Sequence, residues 1–241
     1  MNVGNREGFP FDICEGASAM KRVTSGLVPL MLLLIGGCCY PEFEHPIIKP
    51  SEAPRYEELF GLHREVEPQN GVTTWLHIGG FDGDVPKGIH RFVWVSDSSP
   101  DRATSRLDVA DLPGFIFKVD QTYIIQCPSM PNEPSPRLSI EQLDFDHVKT
   151  FWIFRLQKVG EDLRWDCLDP NAIKDLIEQG ALKGEVEFEE REATEGEVAV
   201  SRVKRITVTA SSDELQRFFR KVDLDSIFLS NGPRFARVEA E

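Results

Sequence analysis

The chain has 241 residues, with 27 Lys and Arg against 40 Asp and Glu, for a formal net charge of −13. A surface this acidic repels phosphates and anionic headgroups, so neither nucleic acid nor a basic-patch attachment to membranes fits it. With 41% hydrophobic residues, the chain is rich enough in apolar side chains to build one domain with a real core.

In chain order, MNVGNREGFPFDICEGASA (1–19) places acids and a proline ahead of Met20, Lys21 and Arg22. A secretion signal needs no such prefix, so translation is expected to begin at Met20. Gly26 to Ile35 is apolar, about ten residues and ~15 Å as a helix, whereas spanning a bilayer takes roughly 20. A short apolar run behind a basic start and ahead of small residues is a signal peptide, here 20–37. Its ending, Leu34-Ile35-Gly36-Gly37-Cys38, resembles the lipobox of bacterial lipoproteins. The resemblance implies that Cys38 receives a diacylglycerol thioether and becomes the mature N-terminus. Cys38 fits better than Cys39, because Ile35 then fills the branched aliphatic position. Residues 1–37 hold Arg6, Lys21 and Arg22 against Glu7, Asp12 and Glu15, so the mature part keeps the full acidic excess.

CYPEFEHPIIKPSEAP (39–54) has four prolines and no periodicity. Residues 38–54 therefore read as an acylated cysteine and a Pro-rich tether, and 55–241 as a single globular domain. From Arg55 onward the pattern is of short β-type runs: Tyr56–Val66, Thr73–Ile78 ending at Gly79-Gly80, Ile89–Val95, Phe115–Val119, Thr122–Cys127, Thr150–Val159 and Leu163–Cys167. Turn residues bound each run, and PSMPNEPSPR (128–137) must be a loop. Regular spacing predicts an antiparallel meander that curves and closes, or nearly closes, into a barrel.

Two helices are signalled later. Asp169 is an N-cap with Pro170 at the first helical position, Ile173, Leu176 and Ile177 share a face, and Gly180 supplies the stop. Ser211 and Glu214 form a capping box ahead of Leu215, Phe218, Phe219 and Val222, spaced for one apolar stripe. Each helix follows a β-type run, LRWDCL or RITVTA, and EVEFEEREATEGEVAVSR between them reads as a charged hairpin. The fold class is α+β, a curved antiparallel sheet or partly closed barrel with two helices in its C-terminal half.

Catalytic signatures are missing: there is no HExxH, GxSxG or P-loop, and no GxGxxG behind a strand. His77 and His90 lie among aromatic strand residues, where a half-buried structural role outweighs a metal site. Asp82-Gly83-Asp84 lacks the further ligands of a calcium loop. Asp144, Asp146 and His147 read as a solvated turn. No cofactor or metal is therefore expected. Alternation puts Cys127 and Cys167 on faces shared with large apolar residues. If their strands were neighbours, or faced each other across the core, an oxidising compartment would join them; otherwise they are two separate buried thiols.

Trp75, Trp94, Trp152, Phe115, Phe117, Tyr123, Phe151 and Phe154 all fall on predicted strands. Such residues either line a ligand cavity or fill a core. Glu58-Leu59-Phe60-Gly61-Leu62-His63 resembles the opening GxW strand of lipocalin-like (calycin) domains, with His63 where the family has tryptophan. More broadly, lipobox, Pro-rich segment, aromatic meander and late capped helix make the chain similar to small bacterial lipoproteins of uncharacterised function. The resulting expectation is a lipid-anchored extracytoplasmic envelope protein of non-catalytic, interaction or accessory type. Its partners would be the membrane, through its acyl chains, and an envelope protein. The alternative is a lipocalin-like binder of a small apolar ligand, and an unrecognised hydrolase is the third reading. The outer membrane is favoured, because Cys39 is not the aspartate that retains enteric lipoproteins at the inner one.

Overall fold

The structure is a computed structural model that describes residues 40–68, 72–81, 88–97, 107–129, 148–190 and 201–239. Cys38, Asp82-Gly83-Asp84, Asp144, Asp146, His147 and the tip of the charged hairpin (191–200) lie outside the described residues.

The strands are β1 (Glu42–Phe43), β2 (Gly61–Glu65), β3 (Thr74–Gly80), β4 (Ile89–Asp97), β5 (Leu107–Val119), β6 (Thr122–Pro128), β7 (Phe151–Val159) and β8 (Asp162–Cys167), followed by β9 (Gly184–Glu190), β10 (Ser201–Val208) and β11 (Arg234–Arg237). A 3-10 turn at Glu57–Leu59 precedes β2, and the α-helices are α1 (Pro170–Glu178), α2 (Ser212–Lys221) and the one-turn α3 (Leu224–Ile227). From β2 to β8 every strand pairs antiparallel with the next. β11 then pairs with both β8 and β2, which closes an eight-stranded antiparallel barrel. The fold class is α+β, as the patterning predicts.

The barrel wall has two kinds of strand, and the sequence explains both. On β3 and β4 the outer residues are largely exposed or half-exposed, so apolar and polar residues alternate. Lower β5, β6 and upper β7 are buried on both faces and read as near-continuous apolar runs: FIF, YIIQC and FWIF. Their second face is covered by a layer made of β1, β9, β10 and the helices. That layer has its own core, in which Phe115, Phe117, Ile124, Phe151 and Ile153 of the barrel meet Phe43, Ile47, Ile173, Val208, Leu215 and Phe219. Burying one such side chain stabilises by roughly 1.5–3 kcal/mol, so the covering layer is a structural half of the domain.

Both predicted helices form. Asp169 accepts a hydrogen bond from the Asn171 N–H at the start of α1, and Gly180 takes φ +71° beyond its end. Glu214 accepts from the Ser211 N–H (2.9 Å) and Oγ–H (3.0 Å) at the start of α2. Lys183 donates to the same carboxylate and, with those capping bonds, draws its pKa down to about 2. α2 buries Leu215 and Phe219 completely, while Phe218 is only partly covered.

The tether is a correction. Residues 40–54 are part of the fold, with Phe43 and Ile47 fully buried. Glu42 and Phe43 pair in parallel with Thr207 and Val208, and Phe43 also pairs with Phe151. The segment then crosses β6, where Gln126 clasps it: the Ile47 N–H donates to Gln126 Oε1 (2.6 Å) and Gln126 Nε2 donates to the Ile48 carbonyl (3.2 Å). It passes so close to Gly88 that a Cβ there would sit 1.9 Å from the Ala53 oxygen. Prolines deny this segment regular structure but do not prevent it from packing. The expected strand Tyr56–Val66 likewise shortens to the 3-10 turn and β2.

Candidate functional site

The barrel interior is the natural place to look for a site, and side chains fill it. Trp165 of β8 is fully buried at its centre. Ring centroids of Trp94, Phe154 and Phe92 lie 5.0, 5.2 and 5.5 Å from it, and Phe235 stands 5.1 Å from Trp94. Leu76, Ile78, Ile116, Ile125, Leu156 and Leu163 close the spaces between them. Edge-to-face rings at these distances add to burial energy and leave no room for a drug-sized ligand. A shallow cleft of ≈ 140 Å³ lies outside the barrel, between Glu65–Glu67 and Asn231–Arg234. It falls short of the ~300–1,000 Å³ of small-molecule sites.

The aromatic residues singled out from sequence divide between two faces. Trp94, Tyr123 and Phe154 point inward, with Trp152 half-buried beside them; Phe115, Phe117 and Phe151 face the covering layer. Trp75 is half-exposed on the outer wall. Alternation predicts this division once the register is known, but composition alone does not reveal it.

The end of the barrel near Gly80 and Ile89 is capped by residues just ahead of β2. Leu59 is buried, Tyr56 packs edge-on against Tyr123 at 5.4 Å, and the Tyr123 hydroxyl donates to Glu58. His90 sits beneath this cap with no exposed surface. Its Nδ1 faces the Gly88 carbonyl (3.0 Å) and its Nε2 accepts from the Tyr56 N–H (3.0 Å). That pattern fits only the neutral ring with its proton on Nδ1. Burial, outweighing the carbonyl contact, pushes the His90 pKa down to about 4. His63, in the tryptophan position of the GxW-like strand, is also buried, with Nε2 3.1 Å from the Leu59 carbonyl and a pKa lowered by burial. His77 is exposed on the outer wall, so the two histidines considered for a metal are not brought together. Among the described residues no group of three or more His, Cys, Asp or Glu is placed to hold a metal ion.

Cys127 and Cys167 are free and buried. Cys127 is opposite Trp152 and Cys167 opposite Phe154, so β7 separates their strands. Two interstrand spacings come to about 9.5 Å, beyond the ~7 Å Cα separation a disulfide tolerates. Of the two arrangements open from sequence, separate buried thiols are the one observed. Burial pushes both thiols well up, Cys167 to about 12, so neither is a nucleophile.

Sequence reasoning misses two polar clusters. Tyr40 inserts where the β7–β8 ladder ends: its hydroxyl donates to the Ile153 carbonyl and accepts from the Leu168 N–H (3.3 Å). Its ring stacks on Phe154 at 5.6 Å and touches both cores. Burial, with the two cysteines nearby, raises its pKa well above the usual phenol value. On the outer wall, Arg155 and Asp166 are a directly opposed β7–β8 pair with essentially no exposed surface. Arg155 Nε donates to Asp166 Oδ2 (2.8 Å), Nη1 donates to Asp225 of α3 (2.6 Å), and the guanidinium stacks on Phe228 at 5.1 Å. Arg164 Nε lies 2.9 Å from Asp166 Oδ1. α3 covers the buried Arg155–Asp166 pair, with Asp225 itself exposed at the surface, so the network fastens the covering layer. A polar residue inside an apolar run, Arg155 in FWIFRL, is the signal that could have found it.

Comparison with protein-family models, with characterised proteins and with solved structures returns no match.

Proposed function

We propose that this is a lipid-anchored, extracytoplasmic envelope protein of non-catalytic type, in which the barrel serves as a rigid interaction or accessory module. The observation that carries the reading is the filled interior around Trp165, which supplies a packed scaffold and no reaction chamber. The lipobox-like ending at Cys38 supports the location, and anchoring by two or three acyl chains suits a surface too acidic to adhere by charge. A transmembrane barrel is the opposite design, with a polar interior and an apolar belt; here the interior is apolar, while Arg64, Arg91 and Asp111 stand on the outer wall. The closed eight-stranded barrel is compatible with a lipocalin-like binder of a small apolar molecule. Such a ligand would have to displace the packed rings.

Cys38→Ala tests the anchor: it should abolish incorporation of labelled fatty acid and move the protein to the soluble fraction. Persistence of the mutant in membranes would overturn the reading. Native mass spectrometry of the acylated protein extracted from its envelope separates the other two. A bound protein supports the interaction module, and a stoichiometric small apolar mass supports the binder.

A further inference from the structure

We infer that the folded body lies directly on the bilayer, with the Tyr40 end of the barrel toward the lipid and the β4–β5 ribbon in contact with it. The inference rests on acylation of Cys38. Because Tyr40 is already locked into the β7–β8 junction, only Cys39 separates the acylated residue from the packed body. Two residues reach at most ~7 Å. The body therefore cannot stand off from the membrane, and the end of the barrel that carries Tyr40 must face it.

Strand directions identify that end. It holds the end of β6, the start of β7, the end of β4 and the start of β5. From Leu107 to Leu112, β5 pairs with β4 and no longer with β6, so about 20 Å of ribbon projects past the neighbouring wall. Its outer face carries Leu107, 59% exposed, and Val109, 62% exposed. Half-exposed Val95 and Trp75 continue the row from Val109 across β4 and β3. The opposite end carries the exposed turns Asp120-Gln121 and Gly160-Glu161, with Lys158 beside them. Among the described residues, the large apolar side chains exposed nearer that end are Leu62 and Val238, side by side on the wall, and Phe188 on β9 of the covering layer; none is on the turns. With a net charge of −13 the contact cannot rest on anionic headgroups. Apolar side chains entering the headgroup boundary are the remaining means, and the ribbon presents them.

The test is photocrosslinking of the acylated protein in phosphatidylcholine vesicles, with benzophenylalanine placed at exposed Val109 or at exposed Lys158. The acyl mass is read on the same sample. Lipid adducts at position 109 and none at 158 are expected. A Gly/Ser spacer of roughly 20 residues after Cys39, with a reach of about 25 Å, should remove the adducts while leaving vesicle attachment intact. Acylated protein with adducts at both positions, only at 158, or at neither overturns the orientation and spares the anchor. A sample without the acyl mass overturns the anchor, and this inference with it.

Discussion

His90 shows how one buried side chain ties stability to pH. Unfolded, its imidazole titrates near 6.5; folded, it is held to about 4. The contribution is fully present above pH 6.5. As pH falls toward 4 the unfolded chain binds a proton that the folded one refuses, and stability drops. The loss is about 1.4 kcal/mol per pH unit and about 3 kcal/mol across the window. His63, lowered by burial as well, acts in the same direction. Urea midpoints measured from pH 7 to pH 4 should fall steeply in the native protein and less steeply in His90→Gln, which cannot titrate. Parallel slopes would remove His90 from the account. None of this could be read from IHRFVWV, where His90 looks like any polar residue among aromatics. What makes it special is burial beneath the Tyr56–Leu59 cap, a segment whose path no local pattern specifies and whose Tyr56 N–H engages the ring.

At the scale of elements, what depended on local physics was legible. Period-two runs and turn residues placed the meander, and caps placed both long helices to within a residue or two. Within α2, however, spacing made Phe218 and Phe219 equivalent, and packing does not. Phe219 is fully buried in the second core, while Phe218 stacks edge-on beside it at 5.3 Å with part of its surface exposed. Phe219→Ala should cost ~3–5 kcal/mol, Phe218→Ala clearly less, and Arg217→Ala almost nothing, read from thermal or urea unfolding. Equal losses at the two phenylalanines would mean that α2 docks differently. β1 and β11 escaped prediction because each is too short to show a period. Their pairing is imposed by distant partners, Phe151 and Val208 for Phe43 and Leu163 and Glu65 for Phe235.

For the whole molecule, the same distinction separates a tether from a structural strap. Low helix potential and many prolines describe residues 39–54 correctly but say nothing about Phe43, Ile47 and the Gln126 clasp. A chain starting at Arg55 should lose two fully buried apolar side chains and the Tyr40 bridge together. Several kcal/mol on a fold of ~5–15 kcal/mol should lower its melting temperature sharply or abolish cooperative unfolding. A chain starting at Tyr40 should melt like the mature protein. Identical melting of the two chains would restore the tether.

The strap also fixes an order of events in time. Glu42 and Phe43 leave the ribosome early, yet their partners Thr207 and Val208 are made among the last. β2, the first strand of the barrel, waits longer still for Phe235 and Arg237. The barrel therefore cannot close on the growing chain, even though the first segment already finds Gln126 and Phe151 once β6 and β7 are made. Contacts of such long sequence separation make for slow folding. A chain built this way commits to its closed form only after the last strand arrives.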